Sequence, residues 1–208
     1  VAIGVVAIVI GLLLPSLSTA RQTARRTAFA ATIRQDAILV SAYCNDARGV
    51  FPIAATLAPD AAWNWGSAML AGGHISDLRD LDPDGARRYG RNRVQLSKCM
   101  LLPAELMRPG FTVPPDMQYA TPIRDDQVTY PSQKGLLIPL CSEPLPGDDP
   151  AGRCFFYTRR VAEPIAFADQ SVAVLTRFDL IDGEAPSEID GVGLPVYASW
   201  GGHRARDR

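Results

Sequence analysis

The chain has 208 residues, 47% of them apolar, and a formal charge of -1 from 21 basic and 22 acidic side chains. That length suits one globular domain with an appendage rather than two full domains, and the balanced charge supplies no basic field of the kind nucleic acid needs, so no nucleic-acid partner is expected. Four cysteines, Cys44, Cys99, Cys141 and Cys154, include no C-x-x-C pair, which removes the usual zinc and thioredoxin spacings.

Residues 1 to 20, VAIGVVAIVIGLLLPSLSTA, carry no charge. At about 1.5 Å rise per residue they make a helix of about 30 Å, the thickness of a bilayer core, so the segment is expected to span a membrane once. The apolar run flows into a polar segment that keeps helical periodicity and has no small-x-small stop, so it reads as a retained anchor rather than a cleavable signal. Gly4, Ala7 and Gly11 share a face on which small side chains let neighbouring helices approach. Pro15 removes one backbone hydrogen bond and clashes with the preceding turn, which predicts a kink or local melting near residues 11 to 15.

Farther along, Phe29, Ile33, Ala37, Val40 and Cys44 recur at steps of three and four, one face of a helix. Arg25, Arg26, Arg34, Gln35 and Asp36 fall on other faces, and Gly49 supplies a C-terminal stop. Residues 1 to 48 thus read as one helix of about 70 Å, a membrane or filament core over 1–20 and an amphipathic half over 21–48, with a head over 49–208. Arg21, Arg25 and Arg26, directly after the span, weigh toward a cytoplasmic head unless stronger positive charge precedes residue 1.

Most of the 17 glycines and 17 prolines fall after residue 49 and cut the head into short pieces. Residues 63 to 70 read as a short helix with Trp63, Trp65, Met69 and Leu70 in the core. Residues 136 to 140, 153 to 158, 165 to 168, 172 to 178 and 194 to 200 read as strands, being short, bounded by Gly, Pro or Asp, and rich in Val, Ile, Phe and Tyr. A long helix followed by antiparallel strands is an α+β pattern.

The DLDPDG run places Asp80, Asp82 and Asp84 at the spacing that opens a calcium loop. Arg91 stands where the closing bidentate glutamate belongs, so a solvated acidic turn is the stronger reading. Cys141 and Cys154 flank the turn-rich PLPGDDPAG, a loop of a size that a disulfide closes well, and four buried free thiols remain the alternative. His74 follows two glycines and His203 lies in the basic tail; neither stands near a nucleophile motif such as G-x-S-x-G, and Asp148 and Asp149 sit in a turn between prolines. No enzyme activity and no cofactor are expected.

The string GLLLPSLSTARQTARRTAFAATIRQ, followed by AYCNDARGVFP, resembles the prepilin-type proteins of bacteria, the type IV pilin-like family that includes type II secretion pseudopilins. Leu13, Leu14, Pro15, Leu17, Ala20, Arg21, Ala24, Arg25, Arg26, Arg34, Gln35, Tyr43, Asn45, Asp46, Gly49, Phe51 and Pro52 occupy the matching places. AFADQSVAVL resembles a late F-A-D-G-S-V segment of the same family, with Gln170 in place of glycine, so a different turn geometry is expected there.

The resemblance implies a pilin-like fold, the helix packed on an antiparallel sheet through Phe29, Ile33, Ala37 and Val40. It implies a structural subunit of a pseudopilus or pilus-like filament, held in the inner membrane by a single pass with its head extracytoplasmic. Its partners would be inner-membrane lipid and other pilin-like subunits. The family's processing site, a glycine followed by F-T-L-I-E, belongs upstream of Val1, so a prepilin peptidase is a partner if that leader exists. The other reading of the residues is a membrane-tethered module that binds glycan or an envelope protein through Trp63, Trp65 or Trp200.

Overall fold

The computed structural model of the protein describes residues 2–53, 65–81, 94–100, 121, 123–139, 162–176, 179–180, 204 and 206–207; within its elements the side chains of residues 2–10, 12, 22, 95 and 98 lie outside the description. The described elements follow in the order α1 (Ala2–Asp46), α2 (Trp65–Ala71), β1 (Val94–Leu96), β2 (Gly135–Pro139), β3 (Glu163–Phe167) and β4 (Val172–Leu175). The strands pair antiparallel in the order β1-β2-β3-β4. The fold is α+β, with the long N-terminal helix lying across the sheet, chiefly on β3.

Helix α1 is seated by its C-terminal half. Ile33, Ala37 and Val40 are fully buried, Cys44 nearly so, and Phe29 packs on the same core from its edge. Asp36, assigned by sequence to a polar face, is only 1% exposed. Positions 33, 36, 37 and 40 form one helical stripe, buried across its whole width. Ile38, on the opposite side, is exposed.

The helix runs unbroken through Pro15, so no melting occurs at residues 11 to 15. A proline there removes one donor, and the turns around it are tied by hydroxyl groups: Ser16 Oγ donates to the Leu13 carbonyl at 2.8 Å, and Ser18 Oγ and Thr19 Oγ1 donate to the Pro15 carbonyl at 2.8 and 3.1 Å.

What ends α1 is a left-handed pair, Arg48 (φ 58°) and Gly49 (φ 85°). The Gly49 N–H reaches back to the Cys44 carbonyl at 2.6 Å and that of Ala47 to Tyr43 at 2.8 Å, which satisfies carbonyls left over at the helix terminus. A Cβ on Gly49 would stand 2.6 Å from Asp125 Oδ1, so glycine is required for space as well as for φ. The exit strand then docks: the Asp125 N–H donates to the Gly49 carbonyl at 2.8 Å and the Phe51 N–H to Ile123 at 3.0 Å.

β2 and β3 are buried at every residue. Alternate side chains of a strand face opposite sides, so these inner strands are covered on both faces. α2 is fastened to the sheet edge by Trp65, whose indole Nε1 donates to the Val94 carbonyl at 3.1 Å. Trp65 and Met69 are in the core; Leu70, expected there, is 42% exposed because it sits one position past Met69 on this short helix. The expected strands at 153–158 and 194–200, and Trp63, lie outside the described residues. β1 escapes sequence patterning because its alternation, Val94-Gln95-Leu96, lasts only three residues and is flanked by Arg91, Arg93 and Lys98.

The β3–β4 hairpin corrects the expectation at Gln170. Rather than forcing a new turn, Gln170 adopts φ 67°, the left-handed conformation a glycine would take. Its N–H donates to the Phe167 carbonyl at 2.9 Å and the Phe167 N–H to Ser171 at 2.9 Å, closing the turn. A left-handed residue other than glycine costs roughly 1–2 kcal/mol. The Gln170 amide offsets part of that by donating to Ser41 Oγ on α1 at 2.9 Å.

Replacing Gln170 with Ala loses this bond and keeps the strain, so urea unfolding should show a loss of about 1 kcal/mol. Gln170→Gly relieves the strain while losing the bond, and should stay within about 1 kcal/mol of the native chain.

Candidate functional site

Among the described residues, a long stretch of α1 stays outside the packed core. Every described side chain over residues 11–28 is exposed, a length of about 27 Å of helix. Leu13, Leu14 and Leu17 are 58%, 60% and 65% exposed, and these large apolar side chains sit together on two successive turns. Isolated exposed leucines are ordinary, but a run continuous with an apolar segment calls for cover.

The threonine hydroxyls of this stretch bond to the helix itself. Thr23 Oγ1 donates to Thr19, Thr27 Oγ1 to Thr23 and Thr32 Oγ1 to Ala28, at 3.1, 3.1 and 3.2 Å. Hydroxyls bonded to their own helix leave the surface less polar than its composition, which lowers the penalty for packing against other helices. Arg21, Arg25, Arg26 and Arg34 are exposed along it, and no acidic residue occurs before Asp36. Gly11 has no atom within 4 Å of where a Cβ would stand. Gly4 and Ala7 lie on the same helix, their surroundings outside the description. Among the described residues, no helix is long and apolar enough to cross a membrane.

The calcium candidate is taken up locally where it can be seen. Asp80 Oδ2 accepts the Asp77 N–H at 2.9 Å, the Ser76 hydroxyl at 2.9 Å and the Ser76 N–H at 3.0 Å, and these bonds hold its carboxyl below the usual range. Asp77 in turn accepts the Arg79 N–H at 2.8 Å, so the two acids cap the turn Leu78–Asp80. Asp82, Asp84 and Arg91 lie outside the described residues, and among the described residues no three ligand-type side chains cluster for a metal.

Cys141 and Cys154 also lie outside the described residues, while Cys44 and Cys99 are buried thiols that form no disulfide. His74 is tilted against the Tyr43 ring, 5.3 Å between centroids, with Nε2 3.6 Å from Asp46 Oδ2. It fastens the loop after α2 to the end of α1. A cavity of about 60 Å³ under Val40, Cys44, Phe51 and Leu136 has room for a few waters.

Sequence reading passes over one cluster entirely. Lys134 Nζ donates to Asp207 Oδ1 at 3.0 Å with both side chains fully buried, and the Gly135 N–H donates to Asp207 Oδ2 at 2.8 Å. The Asp207 N–H donates to the Gln133 carbonyl at 2.9 Å, and the Arg206 guanidinium lies 4.3 Å over the Tyr130 ring. The tail, legible in sequence only as a basic end, is therefore plugged into the entry of β2. The only signal was a lysine set directly against the apolar run GLLIP.

In comparisons with known proteins, no family model matches the chain, and no curated protein or solved structure matches it. The functional reading therefore stands on the residues and their geometry.

Burial pushes the Lys134 ammonium down, and the neighbouring Cys99 and Asp207 side chains outweigh it, holding it above the ordinary lysine range. A cation whose folded pKa is raised contributes stability that is complete below the unfolded value, about 10.4, and is lost as pH climbs through the folded one. Denaturation across pH 9 to 12 should therefore show stability falling above about pH 10.4. Asp207→Ala, which strands the buried ammonium, should cost about 3–5 kcal/mol at pH 7.

Proposed function

We propose that this chain is a structural subunit of a prepilin-type filament, a secretion pseudopilus or a type IV pilus-like fibre. The apolar N-terminal half of α1 is held in the inner membrane before assembly and in the helical core of the filament after it. The head, extracytoplasmic in this reading, forms the outer surface. The observation that carries the proposal is the uncovered helix over residues 11–28, with Leu13, Leu14 and Leu17 bare. Among the described residues the head packs on the lower half of this 45-residue helix, and residues 11–28 are left for other molecules.

The linked strings around Leu13 to Gln35 and Tyr43 to Pro52 support the same reading, as does the α+β head. No catalytic role is proposed. The rival reading, a tethered module that binds through tryptophan, loses one of its three anchors, because Trp65 is fully buried with its indole bonded to Val94.

A Gly4→Leu, Gly11→Leu double variant separates the two. Added bulk at Gly11 meets nothing within the chain, and leucine raises hydropathy, so membrane insertion should be unchanged. In a helix bundle the same side chains push neighbours apart and lose contacts. Crosslinked multimers in native membranes should drop by about tenfold, the effect of roughly 1.4 kcal/mol. Undiminished multimers with normal insertion would favour the tethered module.

A further inference from the structure

Cys99 lies in the turn Lys98–Met100, directly after β1, and Lys134 directly before β2. The two strands pair Leu96 with Leu137, and the Ser97 N–H extends the ladder to the Leu136 carbonyl at 2.8 Å. The Cys99 N–H is held by Ser97 Oγ at 3.3 Å, which fixes the turn carrying the thiol. Thiol and ammonium are thus delivered to the same end of one strand pair, 35 residues apart in sequence. Carried on, the register that sets Leu96 opposite Leu137 sets Cys99 opposite Lys134, and the two side chains hydrogen-bond; both are fully buried, as is Asp207, which accepts from the same ammonium. A thiol, an amine and a carboxylate are thus neighbours.

We propose that Cys99 and Lys134 are a redox-modification site, at which a peroxide converts the thiol to a sulfenic acid that condenses with the lysine amine into a reversible sulfur–nitrogen cross-link. In the first step the Cys99 sulfur attacks the peroxide O–O bond. It gains one oxygen as S–OH and loses two electrons, and hydrogen peroxide leaves as water. In the second step the Lys134 ammonium passes a proton to Asp207 and its nitrogen attacks the sulfur. The S–N bond forms as the S–O bond breaks, the departing hydroxide takes a second proton from the attacking nitrogen and leaves as water, and the first proton stays on Asp207 until solvent removes it. The product is Cys99–S–NH–Lys134. Sulfenic acids condense with nitrogen in this way when the two are held together, and excess thiol reverses the bond. Arg206, next to Asp207, is exposed, so a local opening at Asp207 would admit a small peroxide to the cluster.

Cys44 is an internal control. It is equally enclosed, but burial, and Asp125 nearby, push its thiol up to about 12, and no lysine is recorded beside it among the described residues.

The full folded chain is treated with hydrogen peroxide, quenched, and digested without reduction. The expected result is one peptide pair joined at Cys99 and Lys134, two hydrogens lighter than the separate peptides, with proteolysis at Lys134 blocked and both effects reversed by dithiothreitol. Lys134→Arg should abolish the pair, and Asp207→Asn should lower its yield several-fold. Should either variant fail to fold, the wild-type map still decides. Cys99 recovered as free thiol or sulfinic acid, with Lys134 cleaved normally, would overturn the proposal, as would equal linkage of Cys44.

Discussion

The packing of Ile33, Ala37 and Val40 against the sheet fixes where everything else in the head can lie. Each such side chain stabilises by roughly 1.5–3 kcal/mol on burial, and the stripe admits only one rotation of the helix about its axis. That rotation carries Ser41 to the turn of the β3–β4 hairpin and brings Gly49 against Asp125. It also leaves Leu13, Leu14 and Leu17 exposed. The bare upper helix is therefore a consequence of how the lower helix is seated.

Around this seat the head is stitched at a small number of expensive places. Residues 131–135 receive two segments remote in sequence through three bonds: the Asp169 N–H bonds Pro131 at 3.2 Å, the Ala168 N–H bonds Lys134 at 3.0 Å, and the Asp207 N–H bonds Gln133 at 2.9 Å. A buried lysine is costly without a carboxylate, and a left-handed glutamine is costly without a side-chain bond. In both cases the compensating group comes from another part of the chain, Asp207 for the first and Ser41 for the second. Such pairings make the hairpin turn, the β2 entry and the tail depend on one another.

The long helix and three of the strands are visible in sequence because each announces itself by a physical period or a bounded apolar run. Phe29, Ile33, Ala37 and Val40 repeat at helical spacing, and GLLIP stands between turns. Asp36 and Leu70 were misplaced because periodicity assigns a face without knowing how wide the covering surface is. Gln170 was misjudged because residue preference at a turn is statistical, while a partner such as Ser41 lies 129 residues away. The Lys134–Asp207 pair is invisible for the same reason: charge reads as solvated until a partner distant in sequence is brought against it. The exposed stretch of α1 over residues 11–28 leaves a different gap, since nothing among the described residues covers it.

Leu17 sits in the centre of that uncovered stretch and is 65% exposed, so it reports most directly on what covers it. A photoreactive amino acid at this position, illuminated in native membranes, tests the central claim that the upper half of α1 packs against other subunits. The filament account predicts adducts to α1 of further copies or of other pilin-like subunits, increasing when assembly is induced. Adducts to lipid alone, unchanged by assembly, would contradict it.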